Sequence, residues 1–218
     1  DTRSPWLSSV PSGSDISLYV HLPLCRRLCW FCACRTQGTK TDAPLARYVD
    51  ALIGEIAMVR AQLPERLRVA RLHLGGGTPT ILPPWLMDRL LGALDNAFGI
   101  QGREEFSVEI DPTMVDREKI AALAKEGMNR ASIGIQDFDP EVQTAIGRIQ
   151  PFDVTAACVA DLRAAGIHSL NTDLVYGLPH QDAARIAETV DKVLTLAPDR
   201  VALFGYAHVP WVAKRQKL

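Results

Sequence analysis

Four of the five cysteines in this 218-residue chain lie within ten residues, between positions 25 and 34. Cys25, Cys29 and Cys32 follow the spacing C-x-x-x-C-x-x-C, and Cys34 comes two residues later. With spacers this short, three thiolates can bind one face of a compact metal centre, and thiolates suit iron–sulfur clusters and zinc. Structural zinc normally uses two pairs of ligands, and no second C-x-x-C or H-x-x-x-H pair follows in the sequence. The spacing therefore favours an iron–sulfur cluster over a zinc knuckle or a redox dithiol.

A four-iron cluster that is held by only three cysteines leaves one iron without a protein ligand. That iron can chelate a small molecule through an amine and a carboxylate, whereas a fourth thiolate from Cys34 would block the position. The fifth cysteine, Cys158, lies with Val154 and Leu162 on one face of a predicted helix. We interpret it as a buried structural residue.

Residues that suit a bound ligand also end several apolar segments. The segment 75–80 reads Gly-Gly-Gly-Thr-Pro-Thr, and its glycines allow the backbone to approach a ligand without obstruction by Cβ atoms. Glu109, Gln136 and Asp173 each interrupt an apolar run near its end. A single residue of this kind is more often a satisfied core group, but three at the same point along successive strands indicate a binding site.

A repeating pattern of short β-branched runs and amphipathic helical stretches places these residues. The predicted strands are 18–22, 69–74, 105–110, 130–136, 169–176 and 200–206. The predicted helices cover 45–56, 87–98, 116–127, 154–166 and 182–196. Six β/α units imply a parallel sheet, which either curls into an open barrel or lies flat as a doubly wound sheet; periodicity does not choose between them. In both folds the functional residues lie at the C-terminal ends of the strands.

The composition excludes several classes of protein. A net charge of −1 gives no basic surface for nucleic acid, and no apolar run approaches the length of a membrane-spanning helix. The first fourteen residues are rich in Ser and Pro and lack the apolar core of a signal peptide. We therefore expect a soluble, cytoplasmic protein. Because the sequence starts with Asp and ends where a new helix could begin, we expect it to be a piece of a longer protein.

The motifs together resemble the coproporphyrinogen dehydrogenase branch of the radical S-adenosylmethionine (SAM) superfamily. The resemblance runs from Tyr-Val-His-Leu-Pro at 19–23 to Tyr-Ala-His-Val-Pro at 206–210, and includes the aromatic residue before the third cysteine and the G-G-G-T-P-T segment. It implies a partial, open six-stranded parallel β/α barrel over residues 18–210. Residues 1–17 would form an N-terminal extension and 211–218 the truncated start of a following segment, with a C-terminal accessory domain missing.

The resemblance also implies which residues bind the cofactors. Cys25, Cys29 and Cys32 match the ligands of a 4Fe–4S cluster, and Cys34 does not. Residues that match contacts to the cluster-bound SAM are Tyr19, Gly76 and Glu109. Residues that match contacts to a second SAM are Phe31, Gly77, Thr78, Gln136, Arg148, Asp173 and Ala207. Composition alone would place Arg148 at the surface.

The implied reaction is the oxygen-independent oxidative decarboxylation of coproporphyrinogen III to protoporphyrinogen IX by a 5′-deoxyadenosyl radical, in heme biosynthesis. One alternative is a heme-binding, chaperone-like member of the same family, although Cys34 and Arg148 favour the oxidase. Another alternative is a different radical SAM enzyme, such as a methyltransferase. The resemblance implies a monomer with no nucleic-acid or membrane partner, and little turnover by this piece alone.

The implied reaction requires an external one-electron donor such as a flavodoxin or ferredoxin. Arg26, Arg27, Arg35 and Lys40 form a basic stretch around the cysteine loop. Two readings stay open: a solvated surface, or a docking face for an acidic donor protein.

Overall fold

The computed structural model describes residues 5–211, 214 and 216. Six parallel strands form its main sheet, and each strand except the first follows a helical crossover. The strands are β1 (Ser14–Leu22), β2 (Leu67–Gly76), β3 (Glu105–Ile110), β4 (Arg130–Gln136), β5 (Ser169–Tyr176) and β6 (Arg200–Gly205).

The order of the strands decides between the two predicted sheets. Neighbours in the sheet follow the chain, β1-β2-β3-β4-β5-β6, with no point at which the order reverses. A doubly wound sheet needs such a reversal, because its helices cover both faces. The sheet is therefore the curled, open half-barrel that the resemblance implied, with β1 and β6 as its two edges.

Helices alternate with these strands. They are α1 (Pro5–Ser8), α2 (Ala43–Arg60), α3 (Pro84–Phe98), α4 (Arg117–Lys125), α5 (Pro140–Ala145), α6 (Phe152–Ala164) and α7 (Ala183–Thr195). The predicted N-cap of α4 is confirmed, since the Asp116 carboxylate accepts the backbone N–H of Lys119. Asp182 caps α7 in the same way by accepting the N–H of Arg185. These aspartates satisfy N–H groups that a helix start leaves unpaired.

The core lies between the outer face of the sheet and the helices. Leu72, Leu74 and Phe106 on the strands are fully buried, as are Leu90 of α3 and Leu162 of α6. The polar residues that alternate with them along the strands point to the other face, because successive side chains of a strand alternate. That alternation leaves the inner face of the half-barrel for the candidate site.

Several sequence predictions differ from the structure. The first strand begins at Ser14, four residues before the predicted start, so it takes in the end of the predicted extension. The short helix α5 was not predicted, because six residues give too little periodicity. Val154 was predicted on the apolar face of α6 but is exposed; Cys158 is buried there as expected. Burial raises the pKa of the Cys158 thiol to about 12, so this cysteine carries little thiolate and is a poor nucleophile or metal ligand.

Candidate cofactor site

A cavity of about 470 Å³ lies at the C-terminal ends of the strands. All the predicted site residues except Tyr19 line it: Cys25, Cys29, Phe31, Cys32, Gly76, Gly77, Thr78, Glu109, Gln136, Arg148, Asp173 and Ala207. Cys34 lines it as well. Tyr19 lies beside it on β1, where its side chain borders a second cavity of about 190 Å³. The fold therefore brings together residues from every part of the sequence.

The cysteine loop is fixed at its base and at its tip. Leu24–Cys25 pairs with Gln37–Gly38, which closes the loop directly after β1. At the tip, the Trp30 N–H donates to the carbonyl of Ile146 at 2.8 Å. The Trp30 ring packs over Gly147, whose φ of 66° lies in the left-handed region that favours glycine. The loop is thus held by backbone pairing and by Trp30, without using its cysteine thiols.

Gly77 allows the turn after β2 to lie directly against this loop. Its N–H donates to the carbonyl of Leu22 at 2.8 Å. A Cβ at this position would meet Leu24 O at 2.7 Å and Cys25 Sγ at 2.9 Å, so glycine is required. The adjacent Thr78 hydroxyl lies 3.7 Å from Cys25 Sγ. Burial raises the pKa of the Cys25 thiol, a cost that a bound metal centre would offset by favouring the thiolate.

Glu109 is held by a network that sequence reasoning missed. Its Oε2 accepts the N–H of Gly76 at 3.0 Å, and its Oε1 lies 3.4 Å from His73 Nε2. The other nitrogen of His73 bonds to Ser107 at 2.5 Å, and the Tyr19 ring stacks on His73 at 5.5 Å between centroids. The carboxylate is therefore oriented toward the glycine turn rather than toward a structural ion pair with Arg or Lys.

Asp173 is also part of a cluster on neighbouring strands. Ser132 donates to its Oδ2 at 3.0 Å, and Asn171 donates to its Oδ1 at 2.8 Å. Burial raises the pKa of Asp173, although both hydrogen bonds oppose this effect. Sequence reasoning missed Ser132 and Asn171. The signal that could have found them is the alternation of side chains along a strand. Ser132 lies on the same face of β4 as Gln136, and Asn171 lies on the same face of β5 as Asp173.

Gln136 lies at an irregular point of β4. Its φ of 71° is in the left-handed region, and the pairing with β5 shifts register between Gly134 and Gln136. A left-handed non-glycine residue costs about 1 kcal/mol or more and is commonly found at functional sites. Gln136 lines the cavity at this bulge.

Arg148 is buried, contrary to the surface position that composition predicted. It is 8% exposed, and its Nη2 donates to the carbonyl of Gly134 at 2.8 Å. Its Nη1 lies 3.3 Å from Asp111 Oδ2 and 3.5 Å from Cys29 Sγ. The buried amide of Gln150 fixes the guanidinium further by accepting from its Nε at 3.1 Å. A fixed positive charge therefore lies next to one of the predicted ligand thiols.

The three cysteines of the C-x-x-x-C-x-x-C spacing line one part of the cavity. Cys25, Cys29 and Cys32 border a shared space large enough for a group of several atoms. Soft thiolates around such a space fit an iron–sulfur cluster.

The basic stretch divides into two parts. Arg26 pairs with Asp42, and Arg27 pairs with Asp111 at 3.4 Å and donates to the carbonyl of Ile149 at 3.1 Å. Arg27 is therefore part of the internal network of the site rather than a surface charge. Arg35 and Lys40 are exposed.

Among the described helices, none is long and apolar enough to cross a membrane.

Known proteins resemble this chain over its whole length. A family model described as the radical SAM superfamily matches residues 19–193. The chain is 60% identical over 218 residues to the anaerobic coproporphyrinogen III oxidase 1 of Cereibacter sphaeroides and covers 48% of that protein. It is 48% identical over 217 residues to the oxygen-independent coproporphyrinogen III oxidase of Bradyrhizobium diazoefficiens, again covering 48%. The chain thus spans about half the length of the curated relatives it matches.

Solved structures give the same picture. The coproporphyrinogen III oxidase HemN from Escherichia coli, titled a radical SAM enzyme, matches with a TM-score of 0.90 and 38% identity, over 95% of this chain and 47% of that one. The protein titled anSMEcpe, with bound AdoMet, matches with a TM-score of 0.63 over 88% of this chain and 51% of its own. At 11% identity, the second match shows the shared fold alone.

Proposed function

The chain belongs to the radical SAM superfamily, and from this we propose that it serves the oxygen-independent oxidative decarboxylation of coproporphyrinogen III to protoporphyrinogen IX. The observation that carries the proposal is the cavity in which the three-cysteine loop, the G-G-G-T-P-T turn and the polar strand ends meet. The 60% identity to an anaerobic coproporphyrinogen III oxidase supports this substrate over others of the superfamily.

Membership of the superfamily implies a 4Fe–4S cluster and SAM as cofactors. We assign Cys25, Cys29 and Cys32 as the cluster ligands, with Cys34 outside the set. Tyr19, Gly76 and Glu109 are proposed to bind the cluster-associated SAM. The Glu109 carboxylate, oriented by Gly76 and His73, is an acceptor suited to ribose hydroxyls. Gly76 lines the cavity, and its φ of 113° lies in the left-handed region that favours glycine.

A second SAM is proposed in the remainder of the cavity. The residues assigned to it are Phe31, Gly77, Thr78, Gln136, Arg148, Asp173 and Ala207. Supporting this, the cavity of about 470 Å³ extends from the cysteine loop to the end of β6. The buried guanidinium of Arg148 and the amide of Gln136 provide donors, whereas Asp173 provides acceptors. This mixture suits a ligand that carries both amine and carboxylate groups.

When bound, the cluster and SAM supply an organic radical that removes a hydrogen atom from a propionate side chain of the substrate. The chain itself binds and orients these cofactors and limits the access of water. The Arg148–Asp111 pair and the bulge at Gln136 fix side chains before any ligand arrives. Preorganised groups of this kind need little rearrangement when a ligand binds.

The proposed partners are coproporphyrinogen III and a one-electron donor such as a flavodoxin or ferredoxin. We further propose a cytoplasmic monomer without nucleic-acid or membrane partners. The balanced charge of the chain supports the exclusion of nucleic acid, since phosphate binding needs a basic face.

Anaerobic reconstitution of the chain tests the cluster assignment. Cys25→Ser, Cys29→Ser and Cys32→Ser are each expected to abolish most iron binding, whereas the matched Cys34→Ser variant should retain it. Iron and sulfide content and the EPR spectrum with and without SAM are the measurements. Loss of the cluster in Cys34→Ser, or a single zinc ion in place of iron, would contradict the proposal.

A chimera tests the substrate. Residues 1–218 of this chain would replace the matching region of the Cereibacter sphaeroides protein, and the product would be measured anaerobically with SAM, reductant and coproporphyrinogen III. Formation of protoporphyrinogen IX, lost in a Cys32→Ser chimera, is the expected result. Heme retention without turnover would favour the chaperone, and a methylated product would favour a methyltransferase.

A further inference from the structure

Gln216 connects two segments that are remote in the sequence. Its side-chain nitrogen donates to the carbonyl oxygens of Phe31 and Ala207, both at 2.8 Å. Its side-chain oxygen accepts the N–H of Val209 at 2.5 Å. At 5% exposure the side chain is buried, so these three bonds replace its contacts with water.

The three bonds fix the orientation of the amide. Both hydrogens of the amide nitrogen are directed at carbonyl oxygens, and the amide oxygen faces an N–H group. A rotated amide would place its oxygen against two acceptors and its nitrogen against a donor. Only one orientation satisfies all the groups, and it requires a side chain that donates twice and accepts once.

The two joined segments follow the two edges of the barrel. The cysteine loop follows β1, and the segment that contains Ala207 follows β6; these strands are at opposite ends of the sheet order. No ladder of the sheet connects β1 to β6. Phe31 and Tyr206 also pack against a small apolar cluster that includes Val175, but apolar contact sets no direction. The amide of Gln216 supplies a directional link across the opening.

We propose that Gln216 is a positioning residue that holds Phe31 and Ala207 at a fixed separation across the opening of the half-barrel. Phe31 lies between Cys29 and Cys32, and both joined residues line the cavity. The link therefore fixes the distance between the cysteine loop and the opposite wall of the cavity before a ligand binds. The inference depends on the proposed function only in one respect, namely that the ligand contacted by this wall is SAM.

Two variants separate this role from a purely local one. Gln216→Ala removes all three bonds. Gln216→Glu keeps an oxygen that can accept from Val209 but places a second oxygen against the carbonyls of Phe31 and Ala207. The matched control is Gln101→Glu, which makes the same chemical change at an exposed turn.

Amide hydrogen exchange of the 218-residue chain without cofactors is the first measurement. Both Gln216 variants are expected to accelerate exchange in residues 29–34 by about tenfold, because the loop opens more often once its hydrogen bonds to Gln216 are lost. Exchange in β3 and β4 should be unchanged. Only Gln216→Ala should also accelerate exchange of the Val209 amide, because Gln216→Glu keeps an oxygen that accepts from it. Unchanged exchange at 29–34 in Gln216→Glu, or equal acceleration in β3 and β4, would overturn the proposal.

Affinity for SAM after cluster reconstitution is the second measurement. Gln216→Glu is expected to bind SAM about tenfold more weakly than the parent chain and Gln101→Glu, at equal iron content. If the parent chain itself failed to bind SAM, the proposed function would fail while the exchange result still decided the role of Gln216. Parent-like SAM affinity in Gln216→Glu would overturn the positioning role.

Discussion

Arg148 and Asp111 form a buried ion pair, with Nη1 of the arginine 3.3 Å from Oδ2 of the aspartate and side-chain exposures of 10% and 8%. Arg27 lies 3.4 Å from the same carboxylate oxygen, and Thr113 donates two hydrogen bonds to the other. The carboxylate thus joins the cysteine loop, through Arg27, to the arginine beside Cys29. Asp111, which is not among the predicted ligand-binding residues, therefore holds both the cysteine loop and Arg148 in place.

Asp111→Asn is expected to lower the free energy of unfolding of the apo chain by about 3 kcal/mol, because the buried Arg148 loses its counter-charge and the partly buried Arg27 loses a second contact. Urea unfolding followed by circular dichroism measures the change. The control is Asp15→Asn, which removes an exposed partner of Arg68 and should leave stability almost unchanged. Similar effects from the two substitutions would argue against a central role for Asp111.

The same carboxylate predicts a dependence on pH. Burial raises the pKa of Asp111, but the charge of Arg148, hydrogen bonds from Thr113 and the charge of Arg27 together bring it below its ordinary value of 3.8. The unfolded chain then binds this proton more readily, so the carboxylate stabilises the fold above about pH 4, and the stabilisation is lost as pH falls through the lower folded pKa. The difference in stability between the parent and Asp111→Asn should therefore shrink below about pH 4. A constant difference between pH 3 and 6 would contradict this.

Gly77→Ala is expected to destabilise the apo chain by about 2 to 3 kcal/mol. The added Cβ would lie 2.7 Å from Leu24 O and 2.9 Å from Leu22 O, which are backbone atoms that cannot move cheaply. It would also displace Cys25, so less iron should be incorporated on reconstitution. The control is Gly92→Ala in the middle of α3, where no atom lies within 4 Å of an added Cβ. That change should stabilise the chain by about 1 kcal/mol, and equal effects at the two sites would refute the steric argument.

At position 136 a glycine variant should be more stable than an alanine variant, whereas in an ordinary strand alanine is the more stable of the two. Alanine in place of Gln136 keeps the strain of a φ near 71°, whereas glycine removes it. We expect Gln136→Gly to be about 1 kcal/mol more stable than Gln136→Ala, although both should weaken SAM binding. Chemical unfolding of the two variants tests the strain, and equal stability would show that the backbone relaxes.

The sequence was enough to predict the elements of the fold and the region of the site. Four of the six strands were predicted to within a residue at each end, because β-branched runs alternate with helical periodicity. Periodicity alone leaves the strand order open, since that order depends on contacts between segments far apart in the chain, whereas the family resemblance implies the open barrel that the structure has. His73, Ser132 and Asn171 are missed by the sequence reasoning, although Ser132 shares a strand face with Gln136 and Asn171 shares one with Asp173. Gln216 carried no local signal, because its partners are at 31 and 207.

The exposed basic residues of the cysteine loop predict how an electron donor docks. Arg27 is committed to Asp111, which leaves Arg35 and Lys40 as charges that an acidic flavodoxin or ferredoxin can meet. Because such charges mainly accelerate encounter, the double variant Arg35→Glu/Lys40→Glu should slow cluster reduction by reduced flavodoxin about tenfold or more at low salt. Stopped-flow absorbance of the reconstituted cluster measures the rate.

Two controls make this last prediction specific. Reduction by dithionite, which is a small anion without a docking surface, should respond far less to the double variant than reduction by flavodoxin. The matched variant Arg66→Glu/Lys125→Glu changes net charge equally at exposed positions that precede β2 and end α4, on the side of the N-terminal ends of the strands, opposite the cavity. It should leave the flavodoxin rate near that of the parent. Added salt should remove most of the difference, since screening acts within about 10 Å at 0.1 M ionic strength. An equal loss of rate in both double variants would mean that overall charge, rather than a face beside the cysteine loop, guides the donor.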